Sequence, residues 1–218
     1  MATNTSDGHR ARLVGLSSRL AHRMEEARPR RTTEDDVLQS AIGLFEEQGF
    51  DGTSVQEIVA RAGVTKGAFY HHFSSKQQIL SRIQERLVDR YVEAIDAMEA
   101  LGETPKERLR HLIIDMVVLS AEHKAEIAIF FSERRFLEMD GFESVRSKRE
   151  QFERRVTHVL EQAIADGAVK PITHPRLVAF GMIGMCAWMY QWFRNDGVPK
   201  EAIATMYADV LLGGLLSE

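Results

Sequence analysis

The sequence predicts an all-α protein of about nine helices, in which a small three-helix unit leads into a larger helical one. Apolar residues recur at i, i+3, i+4 and i+7 in segment after segment, and no segment shows sustained period-2 alternation. The punctuation agrees: Gly49, Gly63, Gly102, Pro105, Gly141, Gly167, Pro171 and Pro175 fall between the periodic stretches.

The first helix spans residues 33–48. Thr33 caps it, Glu34, Asp35 and Asp36 complement the dipole of its first turn, and Gly49 ends it. Val37, Ala41, Leu44 and Phe45 form its inner face. The second helix carries Val55, Ile58, Val59 and Ala62, and Gly63 breaks it with a left-handed residue. Val64 plugs the turn and Thr65 caps a third helix. On that helix Lys66, Gly67, Tyr70 and His71 share an arc of about 140°, while Ala68, Phe69, His72 and Phe73 lie on the other side. This is a helix-turn-helix with a polar recognition face.

A long fourth helix follows over residues 76–101, with Ile79, Leu80, Ile83, Leu87, Tyr91 and Ile95 inward. Ser74 or Ser75 caps it, with Gln77 or Gln78 three residues on as a capping box. Further helices are expected over 106–121, 124–137, 143–166, 176–194 and 199–214. The last two are too apolar to be solvated. Ala179, Phe180, Ile183, Gly184, Ala187 and Trp188 on one, with Met206, Tyr207, Val210 and Leu211 on the other, either close the core or pair with a second copy.

Charge points to an anionic partner. The chain carries a net charge of -4, yet no Asp or Glu lies between Glu57 and Glu85, where Arg61, Lys66, Lys76 and Arg82 occur. Lys76 sits in a first turn, where the helix dipole disfavours a cation, and a phosphate docked there would account for it. Residues 1–31 hold seven arginines against three acids. They read as a loose extension or as a basic arm reaching phosphates or the minor groove.

Other classes are set aside on composition. The single cysteine, Cys186, gives no disulfide framework and no Cys-based zinc site. Adjacent His71 and His72 diverge by about 100° and cannot share a metal. No HExxH, GxSxG, P-loop or dinucleotide fingerprint occurs, so no catalytic residue, metal or cofactor is expected. The N-terminus has no apolar h-region, and the uncharged stretch 177–193 is shorter than the roughly 20 apolar residues a span needs. A cytoplasmic, nucleoid-associated protein that is not an enzyme and has no membrane partner is expected.

Residues 33–82 resemble the TetR family of transcriptional regulators. The resemblance rests on Ala41-Ile42-x-Leu44-Phe45, Gly49-Phe50, Thr53-Ser54-Val55, Ile58 and the run from Ala62-Gly63-Val64-Thr65-Lys66-Gly67 through Tyr70-His71-His72-Phe73 to Ser75-Lys76. It implies a ligand-responsive repressor, a homodimer on a palindromic double-stranded DNA operator that a small effector releases. It also implies that Thr65, Lys66 and Gly67 open the recognition helix against the groove, that Tyr70, His71 and Lys76 contact phosphates or groove edges, and that Thr53 or Ser54 caps the preceding helix against the backbone. The expected division is a basic extension (1–31), a helix-turn-helix domain (32–78) and a ligand-binding and dimerisation domain (79–218), dimerising through the last two helices.

Gln191-Trp192-Phe193-Arg194 and Ser132-Glu133-Arg134-Arg135 are similar to the acyl-CoA-responsive branch of that family, which controls fatty-acid or sterol catabolism. On that resemblance an acyl-CoA is the effector, and Met116, Phe130, Arg134, Arg135, Trp188, Trp192 and Arg194 are the candidate ligand residues. Two alternatives stay open. One is a repressor of drug efflux sensing cationic lipophiles through Glu126 or Glu133 beside Phe130 and Phe131. The other is a DNA-binding protein with no ligand.

Overall fold

The computed structural model describes residues 32–195 and 197–215, so the arginine-rich extension lies outside the described residues. These form ten α-helices and one 3-10 turn: α1 (Thr33–Gly52), α2 (Val55–Ala62), α3 (Lys66–His72), α4 (Lys76–Glu99), α5 (Pro105–Glu122), α6 (Lys124–Ser132), the turn Arg134–Glu138, α7 (Glu143–Ala165), α8 (Pro175–Ala187), α9 (Met189–Trp192) and α10 (Lys200–Leu215). No strand occurs among the described residues.

Local chemistry sets the boundaries of the first helices. Regular helix in α1 stops at Gly49, whose φ of 76° only glycine adopts without strain, and one more turn brings Phe50 into the core. Ser54 and Glu57 form a full capping box on α2, which closes on Gly63 at φ 65°. Thr65 caps α3 by accepting from the Ala68 amide at 3.1 Å. Ser75 caps α4, while the Gln78 side chain accepts from the amide of Ser74 rather than that of the cap residue.

Two expected helices break. The segment predicted over 124–137 leaves the α form at Glu133 and continues as the 3-10 turn. The break lets Phe136 and Leu137 pack with Phe50 and Phe142 in the core of the N-terminal helices. Arg146 fixes the turn by donating to the Leu137 carbonyl. The helix predicted over 176–194 divides at Trp188 into α8 and α9. Burial of Met189 and Phe193 holds the short α9, and Lys124 Nζ donates to the Phe193 carbonyl at 2.6 Å. Tertiary packing, which no local pattern records, decides both breaks.

Two apolar cores result. One joins α1–α3 and the start of α4 to Ile129, Phe136, Leu137, Phe142 and Val145. The other lies among α4, α5, α7, α8 and α10, around Leu109, Ile113, Val156, Leu160 and Met182. Helix α4 contributes Ile79, Leu80 and Ile83 to the first and Val88, Ile95 and Met98 to the second, so it runs through both. No described helix is long and apolar enough to cross a membrane.

Cys186 is buried in the second core, and burial pushes its thiol up to about 12. At pH 8 a disulfide reagent should therefore modify Cys186 of the folded protein about a thousandfold more slowly than in urea, because the thiolate is the reactive form. Equal rates in a time course with and without urea would contradict this placement.

Candidate functional site

Helix α3 buries Phe69 and Phe73 against α1 and α2 and leaves the opposite side open. Thr65, Lys66, Gly67, Tyr70 and His71 are all exposed there, Tyr70 at 60%. His72, expected on the buried side, is exposed as well, because α3 ends at that residue. A Cβ on Gly67 would find nothing nearer than the Thr65 hydroxyl at 3.9 Å, so no internal packing demands glycine there.

The basic window separates into different roles. Arg61 makes a two-pronged ion pair with Glu47, both bonds at 2.7 Å. Arg82 pairs with Glu34 at 3.1 Å and Glu85 at 3.5 Å. Among the described residues Lys66 has no such partner. The absence of acids along the sequence is thus not an absence of acids in space.

Thr53 is buried and Lys76 is half-buried. Lys76 Nζ donates to the carbonyls of Phe50 (2.6 Å) and Thr53 (2.7 Å), reaches that of Asp51 at 3.5 Å and sits 4.3 Å from the centroid of the Phe50 ring. The carbonyls closing α1 give a cation in the first turn of α4 an internal partner. Thr53 is 2% exposed and donates its hydroxyl to the Gly49 carbonyl at 2.8 Å. Ser54, its neighbour, is exposed and caps α2.

A cavity of about 300 Å³ opens in the C-terminal half. Leu87, Val88 and Tyr91 of α4, Met116 and Ser120 of α5, Phe130 of α6, Phe152 of α7 and Ile183 and Cys186 of α8 supply its wall. Arg134, Leu137, Arg149 and Glu153 also line it. Of the seven candidates, Met116, Phe130 and Arg134 border this cavity. Arg135 does not. It pairs with Asp51 at 2.6 Å and Glu133 at 3.2 Å and lies over the Phe136 ring. That contact raises the guanidinium pKa and lowers the Asp51 carboxyl, chiefly through the shared hydrogen bond. Trp188, Trp192 and Arg194 are exposed and away from the lining.

Neither carboxylate proposed for a cationic ligand lines the cavity. Burial pushes Glu126 up, but the hydrogen bond and charge of His123, at 3.1 Å, outweigh it and leave the carboxyl below its ordinary value. Glu133 is held by Arg135, and Glu153, which does line the cavity, is tied to Arg149 at 2.8 Å. The polar lining residues missed from sequence are Tyr91, Ser120, Arg149 and Glu153. Only the polar positions Tyr91 and Ser120 inside apolar helical faces signalled them.

An open apolar stretch follows α8 and α10, and two of its α8 residues, Phe180 and Gly184, also border the cavity. Leu177 (64%), Phe180 (36%) and Trp188 (58%) follow α8 with exposed Gly181 and Gly184, and Met206 (60%) and Val210 (68%) follow α10. Ala179, one of the residues that could close the core or pair with a second copy, belongs to the monomer core.

Residues 37–83 match the bacterial regulatory proteins of the tetR family, and residues 102–215 match the tetracyclin repressor-like C-terminal domain. The chain belongs to the TetR family. It is 26% identical over 188 residues to the transcriptional repressor KstR2 of Mycolicibacterium smegmatis, covering 83% of this chain and 89% of that one. The fold is that of the ketosteroid transcriptional regulator KstR2 of Mycobacterium tuberculosis, with a TM-score of 0.77, 24% identity and coverage of 87% and 98%. AibR, solved in complex with isovaleryl coenzyme A and operator DNA, superimposes with a TM-score of 0.71 at 27% identity, over 85% of this chain and 98% of that one. These relatives are transcriptional regulators, and the chain is a member of a regulator family rather than of an enzyme family.

Lys76→Met should lower stability by roughly 1.5–3 kcal/mol, the usual loss for a charged hydrogen-bond donor, read as a fall in the urea midpoint. The salt dependence of DNA binding should not change. A slope reduced by about one, with the midpoint unmoved, would instead mark Lys76 as a phosphate contact.

Proposed function

We propose that this TetR-family protein is a ligand-responsive repressor. It acts in the cytoplasm as a homodimer on a palindromic operator, through Ser54, Thr65, Lys66, Gly67, Tyr70 and His71. A lipophilic effector of the acyl-CoA type releases it. The open α3 face with unpaired Lys66 supports DNA contact, because a cation without an internal partner is available to phosphate or a base edge. The apolar face of α8 and α10 supports dimerisation, since patches of this kind mark interfaces. Two recognition helices related by a two-fold axis read half-sites about one helical turn, roughly 34–36 Å, apart.

The cavity carries the effector reading. Its wall is apolar, and exposed Arg134, which has no ion-pair partner among the described residues, borders it. A body of modest size fits inside about 300 Å³. The anionic carrier of a thioester would remain outside, where a guanidinium favours phosphate. AibR, a structural relative, is known with isovaleryl coenzyme A bound. A cationic efflux substrate suits the site less well, since its carboxylates are absent or already paired. A regulator without a ligand leaves the cavity unexplained.

The single observation behind release is the position of the turn Arg134–Glu138. Arg134 and Leu137 line the cavity, whereas Arg135 and Phe136, interleaved with them, hold Asp51 and Phe50 of α1. A ligand that shifts the first pair must move the second, and with it the seat of Lys76 at the start of α4. Helix α4 itself is the other link, because it runs through both cores. Coupling of roughly 1–3 kcal/mol, or 5- to 150-fold in operator affinity, is the ordinary scale.

Selection of bound fragments from a random DNA pool should yield a two-fold symmetric sequence. Lys66→Ala should relax the preference at one position per half-site, at a cost of roughly 1–3 kcal/mol. Isovaleryl-CoA and larger alicyclic acyl-CoAs should then be titrated against the selected DNA. No symmetric sequence, or an unchanged preference in Lys66→Ala, would contradict the placement of the recognition face. Phe136→Leu should leave operator affinity without effector within about threefold and cut effector-driven release by about fivefold, a loss near 1 kcal/mol of coupling. Full release by the variant in a fluorescence anisotropy titration would remove the turn from the pathway.

A further inference from the structure

Besides the Arg149–Glu153 ion pair, the cavity wall carries a pair of hydroxyl groups. Tyr91 Oη of α4 and Ser120 Oγ of α5 lie 2.9 Å apart, and both residues line the cavity. Around them the wall is Leu87, Val88, Met116, Phe152 and Ile183. Ser120 is 1% exposed.

Two hydroxyl groups carry two protons, and a bond between them uses one. Among the described residues the pair has no other hydrogen-bond partner. Two other helical hydroxyls are tied back to their own helix: Thr157 donates to the Glu153 carbonyl at 2.8 Å and Thr205 to the Glu201 carbonyl at 2.9 Å. Neither Tyr91 nor Ser120 makes such a bond, so one O–H remains without an acceptor in an apolar chamber. A buried donor in that position is costly unless something accepts from it. Burial also pushes the Tyr91 phenol up, so the pair stays neutral and donating. The nearby groups do not alter this: the Cys186 thiol is held protonated, and Glu126 is engaged with His123.

We propose that Tyr91 and Ser120 form a specificity element that reads one carbonyl oxygen on the otherwise apolar body of the effector. The proposal rests on reading the cavity as the effector site. A carbonyl needs only an incoming donor, which is what the pair has to spare. A carboxylate there would be buried without a cation, since Arg134 and Arg149 are exposed side chains and neither bonds to the pair. A pure hydrocarbon would leave the donor unmatched. A site built to hydrogen-bond an oxygen rejects the analogue lacking it far more strongly than a methylene-sized difference is rejected.

The test uses the full chain and two probes of nearly equal shape, 1-tetralone and tetralin, titrated calorimetrically. The wild-type protein should bind the ketone about tenfold more tightly than the hydrocarbon. Tyr91→Phe leaves the Ser120 proton free to donate and Ser120→Ala leaves that of Tyr91, so each single variant should keep a preference. The double variant should lose it to within twofold, with tetralin bound as well as before or better. Persistence of the preference in the double variant would show that the carbonyl is read elsewhere and overturn the proposal. Equal binding of both probes by the wild-type protein would overturn it while leaving the cavity as an effector site, and that comparison needs no variant. If the wild-type protein binds neither probe, the effector-site reading fails and the proposal falls with it.

Discussion

Phe50 is the residue on which the two halves of the molecule meet. Its ring packs on Phe45 of α1 and edge-on against Phe136 of the 3-10 turn, while the Lys76 ammonium lies 4.3 Å over it. Its carbonyl accepts from that same ammonium. The end of α1, the start of α4 and the turn that borders the cavity are therefore fixed at one point. Because packed interiors do not deform continuously, a displacement of any of the three is felt by the other two. The angle at which α3 presents Lys66 and Tyr70 depends on this point, since α2 and α3 are packed on α1 and continue directly into α4.

The remainder of the fold divides the work around that point. The N-terminal core holds α3 rigidly enough to expose a polar face, and the larger core surrounds a chamber instead of closing it. The segment 129–145 belongs to the larger unit in sequence but packs into the smaller core. The two family matches, residues 37–83 and 102–215, fall largely on the two cores. The shared core is what gives the two sites a physical route to each other.

Much of this was legible in the sequence where the cause is local. Gly49 and Gly63 mark helix ends because left-handed residues favour glycine, and Ser54, Thr65 and Ser75 mark starts because their hydroxyls satisfy amides within three residues. The exposed face of α3 followed from its period. Long-range causes were not legible. The acceptors of Lys76 lie 23 and 26 residues upstream, where no local pattern records them. Arg61 and Arg82 look unpaired until Glu47 and Glu34 come alongside. The cavity is assembled from five helices, so its arginines, Arg134 and Arg149, are told from Arg135 and Arg194 by packing alone. The breaks at Glu133 and Trp188 have the same origin, in buried side chains that pull the backbone out of register.

The most direct measurement is hydrogen–deuterium exchange of the protein with and without its selected operator DNA. Coupling between sites is reciprocal, so DNA bound at α3 must be felt at the cavity. Exchange should change in the turn Arg134–Glu138 and in the stretch of α4 around Tyr91, as well as in α3 itself. Protection confined to α3 and the first turn of α4, with the turn and cavity wall unaltered, would contradict a pathway through Phe50 and Phe136.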